Sequence, residues 1–95
     1  MRHLVAASLC RYAIDSERRM RDAADQLRTG AAVADGERLE ATVSNYARVL
    51  TDIESVLPIE ILLEAYGAND VTSFDRQAMV AELERRKVEV PQPPL

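Results

Sequence analysis

Ninety-five residues hold one domain at most. A chain this short buries only about 60 to 65% of the surface its unfolded form exposes, which makes self-association a common remedy. Apolar residues make up 47% of it and charged residues 29%, which excludes a wholly disordered chain, while 4% aromatics and no tryptophan disfavour a β-sandwich.

The net charge of −4 is unevenly spread. Residues 1–30 carry six arginines against four acids, whereas residues 31–70 carry two arginines against eight acids. So acidic a mid-section repels phosphates and excludes generic nucleic-acid binding across the whole surface.

In chain order, the first segment, residues 2–29, has no proline or glycine. Ala6, Leu9, Ala13, Ser16, Met20, Ala23 and Leu27 recur in it at alternating spacings of three and four. This is a heptad stripe, and its many small residues let a neighbouring backbone come close. Gly30 ends the helix, because it accepts the left-handed conformation that a helix C-terminus needs. Asp35 is the expected N-cap of a second helix, with Glu37 suited to its positive end. There Leu39, Val43, Tyr46, Leu50, Ile53 and Leu57 form a cleaner heptad stripe. Two long amphipathic helices joined by about six residues are expected to pack antiparallel, as a hairpin roughly 35 to 40 Å long.

Pro58 cannot continue the second helix but can open a third. That third helix, from Ile59 to Tyr66, is apolar on most sides, with Glu60 and Glu64 marking its only wet edge. It must be buried, either in its own subunit or in another. Thr72 caps a fourth helix, with Asp75 in the capping-box place, and this helix is expected to run to about Lys87 on a thin stripe of Phe74, Met79, Val80 and Leu83. Residues 88–95 hold three prolines and are expected to form a flexible tail. The fold class is therefore all-α: a helical domain over residues 1–87 with a long hairpin and two shorter helices, followed by the Pro-rich tail.

Little here suggests catalysis. Cys10 is the only cysteine and His3 the only histidine, so no intrachain disulfide and no metal-ligand set is expected. Glu60 and Glu64 lie one helical turn apart and read as a solvated edge. Three scattered glycines make no phosphate loop, and no cofactor is expected. The first ten residues are faintly signal-like, but their apolar run stops at Arg11, too short for a membrane span. The expectation is a cytoplasmic, noncatalytic protein. Arg18, Arg19 and Arg21 are the one basic cluster and the possible nucleic-acid contact. Asp15, Glu17, Asp22 and Asp25 interleave with them at spacings that allow pairing along the helix.

Two features point to partners. Val5, Ile14, Val49 and Val56 fall off the shared seam, so they either pack under the short helix or meet another copy of the chain. The hairpin or oligomer interface is then expected from Leu39, Val43, Tyr46, Leu50, Ile53, Leu57, Ile59, Leu62, Leu63 and Tyr66. The tail offers Val88, Val90 and Leu95 as a short docking peptide.

Ala7-Ser8-Leu9-Cys10, the stretch from Gly30 to Asp35, the stripe from Leu39 to Leu50 and a weaker echo in Asp70-Val71-Thr72 carry a family resemblance over about half the chain. They resemble the small-terminase-like subunits of phage and gene-transfer-agent DNA packaging. That resemblance implies a ring-forming, noncatalytic homo-oligomer with a helical hairpin as its assembly core. It also implies a C-terminal segment that touches a larger packaging ATPase. The sequence departs from that pattern in lacking an N-terminal helix-turn-helix, so direct nucleic-acid binding is expected to be weak or absent. A small regulatory protein-binding module, antitoxin- or inhibitor-like, is the alternative.

Overall fold

The computed structural model describes residues 2–30 and 35–91, and over these the chain is helical, without strands. Four helices follow one another: α1 (Arg2–Thr29), α2 (Gly36–Val56), α3 (Ile59–Tyr66) and α4 (Ser73–Arg85). The molecule is a rod of 52 × 20 × 19 Å.

The 28 residues of α1 make a spine about 42 Å long. Gly30 closes it at φ +68°, the left-handed conformation that glycine adopts without strain. Along this spine Leu9 and Tyr12 lie beside Val49, Ile53 and Val56, while Arg19, Ala23 and Gln26 lie beside Leu39, Thr42 and Tyr46. The two helices therefore run in opposite directions. Asp35 stands at the N-cap of α2 but makes no side-chain capping bond, and its carboxylate lies 3.4 Å from Arg38 instead.

α4 runs in the same direction as α1 and covers only its N-terminal half. Asp70 meets His3 at 2.9 Å, Asp75 meets Arg11, and Arg85 comes within 3.9 Å of Glu17. Beyond that point the rod is two helices wide. Met20, Leu27, Val43 and Tyr46 stay half-buried there because no third helix covers them.

Short-range chemistry sets the ends of the last two helices. Gly67 is right-handed (φ −82°) and does not itself stop α3. Arg76 reaches back from α4 to donate to the Tyr66 and Ala68 carbonyls at 3.1 and 2.6 Å, satisfying orphan acceptors at the α3 C-terminus. Thr72 Oγ1 accepts from the Asp75 amide at 3.1 Å, which is half of a capping box; the Asp75 carboxylate turns to Arg11 on α1 rather than back to Thr72. At the other end of α4, Val88 N donates to Leu83 O at 2.9 Å and Lys87 N to Glu84 O at 3.0 Å, a Schellman turn. Lys87 occupies its left-handed position at φ 60°, where glycine is usual and a side chain costs roughly 1 kcal/mol.

That turn corrects the expectation of a tail free from residue 88. Val88 and Val90 pack against the core, and Tyr66 Oη donates to the Pro91 carbonyl at 3.0 Å. Leu95, the remaining residue of the expected docking peptide, lies outside the described residues.

The main core joins Ala6, Ala7 and Cys10 of α1 to Leu57, to Leu62, Ala65 and Tyr66 of α3, and to Ala78, Met79 and Leu83 of α4. A second cluster, Ala13, Leu50 and Ile53, continues along the α1–α2 seam. The expected stripe of α4 needs correction: Phe74 is 69% exposed, and the buried face is Asp75, Ala78, Met79, Glu82 and Leu83. Two carboxylates occupy that face because arginines are in place to meet them.

Candidate functional site

α1 has three faces along its N-terminal half. One, through Ala6 and Ala13, packs on α2; another, through Ala7 and Cys10, packs on α3 and α4. The third is open and apolar. Leu4, Val5 and Tyr12 are at least half exposed on it, with Val56 of α2 at 67% and Ile61 of α3 beside them. Val5, Leu9 and Tyr12 repeat at four and three residues, and so do Val49, Ile53 and Val56. The heptad seam thus has a second edge facing outward.

Three shallow hollows adjoin on this face. Leu4, Val5, Ser8, Leu9 and Tyr12 line the first. The second lies between Leu9, Tyr12, Val49, Asp52, Ile53 and Val56, and the third between Val5, Ala6, Leu9, Val56, Leu57 and Ile61. Leu9 borders all three, and Asp52 is the one charged residue among their walls.

Val5 and Val56 are therefore not covered by the short helix, which instead closes the α1–α4 groove. Ile14 faces another way, into a polar groove with Glu17, Arg18, Arg21 and Arg85. Within the expected interface set, Leu39, Leu50, Ile53 and Leu57 are buried and Val43 and Tyr46 half-buried along the α1–α2 seam. Leu62 and Tyr66 are buried in this chain's own core, and Leu63 is half-buried against it. Only Ile59 of that set is exposed, and it lines none of the three hollows. Leu4, Tyr12 and Ile61 were not in it.

The basic cluster is engaged within its own helix. Arg18 and Arg19 share Asp15 at 2.5 and 2.8 Å, Arg21 pairs with Glu17, and Arg28 pairs with Asp25 at 2.7 Å. The hydrogen bond from Arg19 holds the Asp15 carboxyl below its ordinary range. These exposed pairs are screened and add little stability.

Inside the molecule lies a buried ionic clamp. Glu82 is fully buried and accepts from Arg85 through both carboxylate oxygens and from Arg86, each at 2.7 Å. Arg86 also donates to the Leu57 carbonyl at 2.7 Å, so α4 is pinned to the C-terminus of α2. Beside the clamp, burial pushes the Cys10 thiol up to about 12, and the Glu82 carboxylate adds to the shift.

The raised thiol gives a pH test. The folded chain keeps the Cys10 proton to about pH 12, while an unfolded chain releases it near 9.0. The stability gained from burying the neutral thiol is complete below pH 9 and is lost as pH rises through that window. Urea midpoints between pH 8 and 11 should fall more steeply for the parent than for Cys10→Ala. Equal slopes would mean that the thiol does not titrate differently on folding.

No cluster of three or more His, Cys, Asp or Glu residues able to hold a metal forms among the described residues. None of the described helices is long and apolar enough to cross a membrane. Against known protein families, curated proteins and solved structures, the chain finds no match.

Proposed function

We propose that this chain is a cytoplasmic, noncatalytic helical adaptor that works as a homo-oligomer and docks on a larger protein. The observation that carries the reading is the open apolar face of α1, α2 and α3. A monomer of this size gains nothing from holding five large apolar side chains in water, whereas a protein-binding surface needs them.

The remaining polar chemistry supports the same reading. Arg18, Arg19 and Arg21 of α1 are engaged by neighbouring acids, and Glu82, Arg85 and Arg86 hold helices together. A hairpin of α1 and α2 then serves as the rigid frame that presents the face. The small-terminase resemblance supplies the partner, a packaging ATPase, and the arginine pairing favours weak or no direct contact with nucleic acid.

Sedimentation equilibrium, followed by calorimetric titration of the chain with the packaging ATPase of the same genome, tests the proposal. The expected result is a multi-subunit assembly that binds the ATPase without needing DNA. A chain that stays monomeric at micromolar concentration and ignores the ATPase would sink it. A chain that ignores the ATPase and instead occludes a different protein would favour the regulatory module.

A further inference from the structure

We infer that a second copy of this chain occupies the apolar face, packed about a two-fold axis that passes by Leu9. The inference rests on the oligomeric reading and deepens it by naming the surface and the geometry.

Three observations carry it. The first is area. The exposed side chains of the face leave between a third and two-thirds of their surface in water. Together they present on the order of 500 Å² of apolar surface, at the upper end for a monomer, and two such faces meeting reach the roughly 1,000 Å² that a specific interface needs.

The second is charge. The chain carries a net −4, so two copies repel each other over most of their surface. The walls of the three hollows contain one acid, Asp52, and no base. Identical faces can meet there without opposing like charges, and an acidic or basic partner would find nothing to pair with.

The third is spacing. Val5 and Tyr12 on α1, and Val49 and Val56 on α2, each stand seven residues apart and flank the chain's own seam at Leu9 and Ile53, so they follow the heptad rule that this chain already uses between its helices. A two-fold axis across α1 sets the α1 helices of two copies antiparallel, with each copy's apolar stripe entering the other's hollows. The α1 and α2 helices of both copies then form a four-helix bundle. α4 does not obstruct this, because it lies against another face of α1.

Sedimentation equilibrium of the full chain, with Val56→Glu, Tyr12→Glu and Ser8→Cys variants, tests the inference. Val56 and Tyr12 are exposed, so both variants should keep the parent's helical circular dichroism and melting curve. Each should raise the dissociation constant at least ~100-fold. Added salt should tighten the parent's association by screening its net charge. Ser8→Cys should form an intermolecular disulfide under mild oxidation, whereas buried Cys10 does not. If the parent assembles and both glutamate variants assemble equally well, the surface assignment falls while the oligomeric reading survives. If the parent stays monomeric at 100 μM, roughly a hundred times a micromolar dissociation constant, both fall and the face belongs to a different protein.

Discussion

Glu82→Gln should lose about 3 to 5 kcal/mol, because it leaves Arg86 buried without a counter-charge. Arg86→Met should lose less, about 1 to 3 kcal/mol, because Arg85 still holds both oxygens of Glu82 and the main loss is an orphaned carbonyl. The whole stability of a 95-residue domain is roughly 5 to 14 kcal/mol, so the Glu82 change brings the chain close to unfolding at ambient temperature. Arg86 does double duty, since its Nη1 also satisfies the Leu57 carbonyl at the end of α2. Pairing Glu82→Leu with Arg86→Met should therefore restore only part of the loss, because that carbonyl stays orphaned. The comparison that decides the matter is Arg28→Ala, which breaks an exposed pair with Asp25 and should lose almost nothing. Urea unfolding gives all four numbers. A Glu82→Gln variant no less stable than Arg28→Ala would mean that the clamp contributes no more than a surface ion pair.

The clamp also shows why α4 was the hardest helix to read. Its buried positions are 75, 78, 79, 82 and 83, a regular one-faced pattern, but two of the five are acids. Apolar periodicity cannot register such a face. The partners that make it buriable stand elsewhere: Arg11 belongs to α1, and Arg86 lies one residue past the end of α4. Ala7 and Cys10 were missed for a related reason. They form the second buried face of α1, but small side chains next to charged Arg11 do not stand out as an apolar stripe. The return of the chain after Lys87 carries no local signal at all, because the left-handed turn uses lysine where glycine would have marked it.

The long helices were legible because their seam needs no help from distant residues. Leu39, Leu50, Ile53 and Leu57 lie on one heptad stripe and are buried by a neighbour that the short connection makes unavoidable. The open face was half legible. Val5 and Val56 stood out as surplus to that seam, but Leu4 and Tyr12 did not, and the roll of α3 was undetermined because apolar residues surround it. Contact with α1 and α4 settles that roll, turning Leu62, Ala65 and Tyr66 inward and leaving Ile59 and Ile61 outside.

Leu62→Asp should consequently unfold the chain rather than dissociate it. Leu62 is fully buried against Ala6, Ala7, Cys10, Met79 and Leu83, the cluster where α1, α3 and α4 meet. A carboxylate there has no partner, and the lost leucine leaves a cavity, so the combined cost should exceed about 4 kcal/mol. Its neighbour Ile61 is 36% exposed at the rim of the third hollow. Ile61→Asp should change monomer stability by about 1 kcal/mol or less and act on association instead. Measured in the Val56→Glu background, where self-association no longer adds to stability, thermal melting separates the two effects. The expected pattern is a collapsed melting transition for Leu62→Asp and a near-parental one for Ile61→Asp. The reverse pattern, with Leu62→Asp melting normally in monomers, would place Leu62 on a surface between subunits and overturn the docking of α3 onto its own chain.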